Sequence, residues 1–363
     1  MEQSLSQQPA QAGRKINYFP VKETYDLWAP IYDNDGNILQ SLDSHGLSQT
    51  LLPRLFSLLA NKPNPSSCLQ ITDLGTGTGR ATLALLSALQ TPSNSTTLAH
   101  LFPTNLNEQS LPLKNEIHIT GLDASGNMLS IARSRIPATS SIPLPSTIEI
   151  HTSFHTHDIL SPTQNPAIPY PPADAIICAL VLEHIPSPSI LFRQITTTKL
   201  LKHGGFLLLT NMHPDMARGV ASAAASGSDG VGKTKTARLV TQAGFKDPET
   251  GEKVRPEEDW AHTIEDVMDA AGREGYKLAS GEDGGAGMEE LRVERWMLET
   301  GVVDKQRGEK WARGGGKCWF GGCGDIQRPS KLIVTSSDHM GPMMCTNSNV
   351  PISTSSYLPF LAH

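Results

Sequence analysis

The sequence predicts an α/β protein whose mostly parallel sheet is covered by helices on both faces. Short apolar runs recur between Cys68 and Asn211, and helix-length amphipathic segments separate them. Buried strands that alternate with crossover helices are typical of a parallel sheet. A chain of 363 residues is also long enough to bury a large core without disulfides or metal ions.

The elements follow in chain order. Residues 1–20 are expected to be flexible, and residues 21–66 to form an N-terminal helical lid, since ILQSLDSHGLSQTLLPRLFSLLA has helical periodicity. Residues 67–212 are predicted to form the core. Its strands are CLQITDL, EIHITGLD, TIEIHTSF, ADAIICALV and GFLLLTN, and its helices are RATLALLSALQ, SGNMLSIARSR and PSILFRQITTTKLL. Gly204 and Gly205 are predicted to stop the last of these helices.

Less regular segments interrupt and follow this alternation. The polar stretch 91–115 is predicted to be a surface loop. Residues 213–260 are predicted to form a cap, in which a hairpin turns at KDPETG. Residues 261–326 should hold a helix that starts near Thr263 and a final strand at KCWFGGCG. The Ser/Thr/Pro-rich tail 327–363 is expected to be disordered.

Two glycine-rich stretches compete as ligand sites. GSDGVGKT, residues 227–234, matches a nucleotide phosphate loop, but it lacks the preceding strand and following helix that such a loop needs. DLGTGTGR, residues 73–80, has both flanks. Arg80 replaces the glycine or alanine of a dinucleotide fingerprint, and Asp73 adds a carboxylate that would attract a cation. The second stretch is favoured, with a nucleotide hydrolase using Lys233 and Thr234 as the alternative.

DLGTGTGR resembles the first motif of class I S-adenosylmethionine-dependent methyltransferases. The resemblance continues in order through GLDASGNMLSIAR, HDI, ADAIICALVLEHI and LLKHGGFLLLTNMHP. It implies a Rossmann-like sheet of seven strands, with the cap inserted after the fifth. It also implies S-adenosylmethionine as cofactor and methyl transfer to N or O of a small molecule. Vague similarity to fungal natural-product methyltransferases suggests a secondary metabolite as acceptor.

The resemblance also implies which residues hold the cofactor. Asp123 would accept hydrogen bonds from the ribose hydroxyls, with helix capping as its alternative role. Asp158 would meet the adenine amino group, and Ile159 would cover the ring. The implied cofactor-binding set is Tyr25, Tyr32, Asp73, Gly75, Thr76, Gly77, Gly79, Asp123, Ala124, Met128, Asp158, Ile159 and Leu180.

The N-terminal motif Y-D-x-W-A-P-x-Y-D, residues 25–33, is shared with many small-molecule members of this family, where it folds over the cofactor. Its aromatic side chains would shield a sulfonium and attract it. The alternative is that Trp28 and the tyrosines only pack a helix against the sheet.

Three histidines are candidate bases because imidazole titrates near neutrality. They are His184, His213 and His262, and a structural role is the alternative for each. His151, His155 and His157 with Asp158 offer a histidine-rich strand, but no further ligand group is evident, so no metal site is expected.

Composition limits the remaining options. A net charge of −6 argues against a nucleic-acid partner. Five scattered cysteines favour a reducing compartment, and neither a signal peptide nor a membrane-length apolar run is evident, so a cytoplasmic protein without membrane contact is expected. A non-catalytic binding protein on the same fold is the second alternative. The oligomeric state is left open.

Overall fold

A computed structural model describes residues 16–62, 67–91, 97, 101–102, 115–142, 148–161, 170–216, 237–239, 244–279 and 287–326. The phosphate-loop-like stretch 227–234, most of the polar insertion and the tail lie outside these residues. None of the described helices is long and apolar enough to cross a membrane.

The described residues include fourteen β-strands. They are β1 (Ile16–Phe19), β2 (Cys68–Leu74), β3 (Asn115–Asp123), β4 (Thr139–Ile142), β5 (Ile148–Thr156), β6 (Ala173–Ala179), β7 (Leu201–Met212), β8 (Ala237–Leu239), β9 (Phe245–Lys246), β10 (Lys253–Pro256), β11 (Asp259–Ala261), β12 (Tyr276–Leu278), β13 (Met288–Arg292) and β14 (Lys317–Ile326).

Nine α-helices have both of their ends within the described residues. They are α1 (Val21–Trp28), α2 (Ile38–Gly46), α3 (Leu52–Ala60), α4 (Arg80–Leu89), α5 (Gly126–Arg135), α6 (Pro188–Thr197), α7 (Ile264–Arg273), α8 (Arg295–Glu299) and α9 (Lys305–Gly314). Short 3-10 helices cover Ala29–Asn34 and Leu182–His184, and a π-helical turn joins α2 to α3.

The main sheet confirms the predicted fold class. Its order is β12-β14-β7-β6-β2-β3-β5-β4, with β13 also paired to β14. Strands β5, β3, β2, β6 and β7 run parallel, while β14 and β4 run antiparallel to their neighbours. The described sheet has nine strands rather than seven, because the short β4 adds an edge beside β5 and both β12 and β13 pair with β14.

Side chains that alternate along the strands fill two apolar layers. Ile177 and Leu208 face the layer that includes α2, α3 and α4. Ile176 and Leu207 face the layer that includes α6 and α7. Burial on both faces explains why the central strands are almost continuously apolar in sequence.

The helix before β7 ends earlier than the glycine pair predicts. It stops at Thr197, and Lys199 takes a left-handed backbone with φ of 55°. Gly204 and Gly205 instead lie inside β7, where the pairing with β6 shifts register. A glycine inside a strand often marks such an irregularity.

The cap forms two small sheets. Its turn at residues 247–252 joins β9 to β10, as the sequence indicates, and β10 also pairs in parallel with β1. The preceding strand β8 does not extend this hairpin, because it pairs with β11 instead. The helix α7 begins where predicted, and the Thr263 hydroxyl accepts a hydrogen bond from the Asp266 N–H at 3.1 Å.

Candidate active site

A cavity of about 450 Å³ opens at the carboxyl ends of the parallel strands. Segments after β2, β3 and β5 and the end of β6 form its floor and walls. Pro20, residues of α1 and residues 257–258 of the cap also line it. Ligands bind at this edge in open α/β sheets, and the volume suits a small molecule.

The glycine-rich loop after β2 forms the floor of the cavity. Gly75 and Thr76 donate their N–H groups to the Leu122 carbonyl at 2.7 and 2.9 Å. Gly75 has a φ of 72°, and a Cβ there would lie 2.1 Å from the Val181 side chain. Only glycine allows the loop to pass this close to the end of β6.

Asp123 closes β3 and stands at the centre of the cavity wall. Its two oxygens accept hydrogen bonds from the N–H groups of Gly77 and Ser125, each at 2.8 Å. Burial raises the pKa of Asp123 to about 6, although these bonds oppose the shift. A carboxylate has about four acceptor positions, so two further donors can be accommodated.

Of residues 21–66, which are predicted to form the lid, those that line the cavity lie in the segment Val21–Asn34, and this segment is here called the lid. Both aspartates of its Y-D-x-W-A-P-x-Y-D motif bind the core. Asp26 accepts the Ser125 hydroxyl at 2.6 Å, next to the start of α5. Asp33 accepts the Thr78 hydroxyl at 2.8 Å and pairs with Arg135 at 2.6 Å. The tyrosine that precedes each aspartate, Tyr25 or Tyr32, lines the cavity.

Trp28, in the middle of the same motif, lies behind the two tyrosines. Its indole stacks on Phe245 of β9, with ring centroids 5.1 Å apart. Its N–H donates to Asp35 at 3.0 Å. The tryptophan therefore packs the lid against the cap, whereas the tyrosines face the cavity.

A chain of polar side chains joins the lid, the wall and the cap. The Tyr25 hydroxyl lies 2.7 Å from Nε2 of His184, and Nδ1 of His184 lies 3.0 Å from Oδ1 of Asp259. A carboxylate at Nδ1 favours the tautomer that carries its proton there. Nε2 is then free to accept the Tyr25 O–H.

The surroundings of this chain shift the pKa of both His184 and Tyr25. Burial lowers the pKa of His184, but Asp259 and the nearby Glu183 outweigh it, so the pKa is raised above its ordinary value. Burial raises the pKa of Tyr25 well above its usual range. His184 is thus the better base of the two, and Tyr25 stays protonated.

A family model described as a methyltransferase domain matches residues 45–272. The chain belongs to the methyltransferase family. A relative described as "Uncharacterized methyltransferase AN0656" from Emericella nidulans is 31% identical over 321 residues, covering 85% of this chain and 92% of that protein. These findings confirm the resemblance stated from the sequence and the S-adenosylmethionine cofactor that it implies.

Solved structures resemble this methyltransferase only distantly. An S-adenosylmethionine-dependent methyltransferase from Mesorhizobium loti has a TM-score of 0.38 at 16% identity, covering 77% of this chain and 99% of that one. A putative S-adenosylmethionine-dependent methyltransferase from Listeria monocytogenes has a TM-score of 0.40 at 14% identity, with coverages of 77% and 100%.

Most of the predicted cofactor positions of the methyltransferase line the cavity. They are Tyr25, Tyr32, Gly75, Thr76, Gly77, Asp123, Ala124, Asp158, Ile159 and Leu180. Leu180 does so with a left-handed backbone, its φ being 56°. Such a conformation is costly for a non-glycine residue and often occurs at functional sites.

Three predicted positions lie behind the cavity wall. Asp73 is fully buried and accepts the hydroxyls of Thr76 and Thr82 at 2.7 and 2.6 Å. Gly79 precedes the first residue of α4, and Met128 packs in the cluster around Trp28. Asp73 therefore does not lie on the cavity surface. Its hydrogen bonds instead hold the shape of the glycine-rich loop.

The structure brings only one of the three candidate catalytic histidines to the cavity, namely His184. His262 is buried beside it, and its Nε2 lies 3.1 and 2.9 Å from the carbonyls of Leu182 and Ile185. It thus supports the turn that carries His184. His213 lies at the end of β7, where its Nδ1 accepts the Asp215 N–H at 3.1 Å. Burial lowers the pKa of both His213 and His262.

Two buried acids were not among the predicted site residues. No local sequence motif points to Asp259, because it becomes a partner of His184 only when β11 packs on the turn after β6. Asp43 pairs with Arg80, which lines the cavity, at 2.6 Å. A signal for Asp43 did exist, because it lies on the apolar face of α2 with Leu39 and Leu42.

Proposed function

We propose that this protein transfers a methyl group from S-adenosylmethionine to a nitrogen or oxygen atom of a small molecule in the cavity. The observation that carries the proposal is the chain Tyr25–His184–Asp259, in which Tyr25 is hydrogen-bonded to His184 and His184 lies at ion-pair distance from Asp259. Tyr25 and His184 line the same cavity as the glycine loop and Asp123. A site that only bound the cofactor would not need such a chain.

The cavity fits the cofactor on three counts. Asp123 has capacity for two further donors, and a ribose offers two hydroxyls. Leu74, Ile159 and Leu180 give the wall an apolar surface for a flat base and a methionine chain. The floor is also open at Gly77, since a Cβ at that position would meet no protein atom within 4 Å. A side chain there would occupy space that the cofactor needs.

When bound, the cofactor supplies an electrophilic methyl group on a positively charged sulfur. The chain's own residues then act on the acceptor. An acceptor O–H or N–H donates its proton to the Tyr25 oxygen while the Tyr25 O–H passes its proton to Nε2 of His184. The imidazolium that forms is stabilised by Asp259. Tyr25 and His184 are the catalytic residues of this scheme, and Asp259 positions His184.

An acceptor that must lose a proton is therefore favoured over a thiolate, which needs no base. The exposed Glu257 and Glu258 of the cap also line the cavity and make its rim acidic. We propose a hydroxylated or amine-bearing secondary metabolite as the acceptor and the cytoplasm as its location.

Calorimetry on two variants tests the cofactor site against the phosphate-loop alternative. Gly77→Asp places a second carboxylate beside Asp123 and should abolish S-adenosylmethionine binding. Lys233→Ala should leave this binding unchanged, and the wild-type protein should bind neither ATP nor GTP. The opposite pattern would exclude the proposed site.

Turnover tests the enzymatic part of the proposal. The protein, methyl-labelled cofactor and a metabolite extract are incubated together, and labelled products are identified by mass spectrometry. We expect a labelled small molecule that Tyr25→Phe protein forms about 100-fold more slowly, as is typical when a positioned acid or base is removed. Tight cofactor binding without a labelled product in any extract would refute the proposal.

A further inference from the structure

A second cluster of ligand-type side chains lies at the opposite end of the sheet from the cavity. In the amino-terminal halves of β3 and β5, Glu116 pairs in register with Glu149, and His118 pairs with His151. The intervening Ile117 and Ile150 are buried, whereas these four residues are half-buried. Alternation along a strand therefore places all four on one face of the sheet.

The donor atoms of this cluster are close together. Nε2 of His118 lies 3.0 Å from a Glu116 oxygen, and Nε2 of His151 lies 3.6 Å from a Glu149 oxygen. One oxygen each of Glu116 and Glu149 and one nitrogen of His151 all lie within 4.8 Å of one another. The two imidazole rings have centroids 4.9 Å apart.

The pairing also brings two carboxylates together. Glu116 and Glu149 are direct neighbours on one face of the sheet. A divalent ion could bind both of them. In a tetrahedral zinc site, metal–nitrogen and metal–oxygen bonds of about 2.0–2.2 Å place the ligand atoms ~3.3 Å apart. The nitrogen–oxygen distance of 3.6 Å between His151 and Glu149 is close to this value.

We propose that Glu116, Glu149 and His151, whose ligand atoms all lie within 4.8 Å of one another, bind one zinc ion. A mixed imidazole and carboxylate donor set suits zinc better than magnesium or calcium, which prefer oxygen ligands alone. This inference departs from the expectation of no metal site, because a partner of His151 lies on the neighbouring strand and is not His155 or His157. Only the register of β3 and β5 reveals it.

Cys68 borders the cluster but lies outside the proposed set. It pairs with Glu116 from β2, and its sulfur lies within 4.8 Å of ligand atoms of Glu116 and His118. A zinc ion held by Cys68, Glu116 and His118 is thus the competing arrangement, and it makes a different prediction for His151.

Titration of the metal-free, full-length protein with zinc chloride tests the proposal by calorimetry and elemental analysis. We expect one zinc ion per chain. His151→Ala and Glu149→Gln should each weaken binding by roughly 100-fold, since even residues that only hydrogen-bond a ligand change metal affinity by 10–100-fold. His155→Ala is the matched control from the same strand, because its ring contacts Tyr170 instead, and it should bind zinc as the wild type does.

Circular dichroism establishes that each variant is folded, and cofactor affinity should be unchanged in all of them. A folded wild-type protein that binds no zinc would overturn the proposal, as would equal losses in His151→Ala and His155→Ala. Loss of binding in Cys68→Ser with retention in His151→Ala would also overturn it, in favour of the competing set. The zinc readout is independent of methyl transfer, so either proposal can fail alone.

Discussion

Two single carboxylates in or beside the cavity have unusual surroundings. Asp123 is held by two backbone N–H groups at the end of β3, yet its burial raises its pKa to about 6. Asp259 is buried against His184 and raises the pKa of that imidazole. In the proposed mechanism the same residue type thus accepts hydrogen bonds from a ligand in one place and orients a base in the other.

Cofactor affinity should depend on the ionisation of Asp123. Because an ionised acceptor makes the stronger hydrogen bonds, the affinity of the wild-type protein for S-adenosylmethionine should fall as pH is lowered through about 6. Asp123→Asn should remove this dependence and weaken binding at neutral pH by roughly 10- to 100-fold. Calorimetry between pH 5 and pH 8 measures both effects. Glu265→Gln, at an exposed acid of α7, should keep the wild-type profile, and a sloping Asp123→Asn profile would contradict the assignment.

The pH dependence of methyl transfer should follow the protonation of His184. Since His184 must be neutral to accept a proton and its pKa is raised, kcat/KM should increase with pH and reach half its plateau above the ordinary histidine value of about 6.5. Asp259→Asn removes the partner that raises the pKa, so the midpoint should move to lower pH and the plateau should drop roughly 100-fold.

If Asp259 had a purely structural role, the Asp259→Asn substitution would have a different effect. It would lower the stability of the protein or its cofactor affinity and would leave the midpoint of the pH profile unchanged. Thermal unfolding and calorimetry on the Asp259→Asn protein separate the two cases.

At the scale of elements, the lid is bound to the core through the polar members of its motif. Its two aspartates bind α5 and the glycine loop, while its tryptophan packs on the cap. The motif therefore combines the two roles considered from sequence, since the tyrosines line the cavity and Trp28 packs behind them.

Loss of one of these attachments should loosen the lid. Asp33→Asn removes the charge that pairs with Arg135 and weakens the bond from Thr78, so the cofactor should dissociate about fivefold faster, a change worth about 1 kcal/mol. Stopped-flow displacement measures the rate. Lys22→Ala breaks a more exposed ion pair with Asp26 and should have little effect. Equal rates in both variants would show that the Asp33 contacts do not retain the lid.

The order of elements was largely predictable from sequence, and the partners across the site were not. CLQITDL and ADAIICALV are buried runs of strand length, so their location needed only hydrophobic pattern. The end of α6 was misplaced because a left-handed Lys199, rather than a glycine, terminates it. Asp259 and Asp43 acquire their roles from tertiary contacts with residues far away in sequence, about which local pattern carries no information.

Across the whole molecule, a buried polar network joins the lid side to the far edge of the parallel strands. Asp43 of α2 pairs with Arg80 and accepts hydrogen bonds from the Thr210 hydroxyl of β7 and the Trp319 indole of β14, at 2.5 and 2.7 Å. Asp43 and Trp319 are fully buried. Four elements that are distant in sequence thus meet at one carboxylate.

Asp43→Ala should destabilise the entire fold. It leaves a guanidinium, a hydroxyl and an indole N–H without their buried partner, and an uncompensated charge of this kind costs about 3–5 kcal/mol of unfolding free energy. Urea denaturation measures the change. Asp304→Ala, which removes the cap of α9 at an exposed position, should cost only about 1 kcal/mol. Similar losses in the two variants would mean that the network contributes little.

The pairing of β1 with β10 couples two segments that a protein engineer would wish to vary separately. Residues 16–19 lead directly into the lid, and residues 253–256 belong to the cap, whose Glu257 and Glu258 line the cavity. Grafting a relative's cap to change specificity would also replace the edge on which the lid's first strand is aligned. Any such chimera should therefore show an altered residence time for its methyl donor, even where no residue that touches the donor has been exchanged.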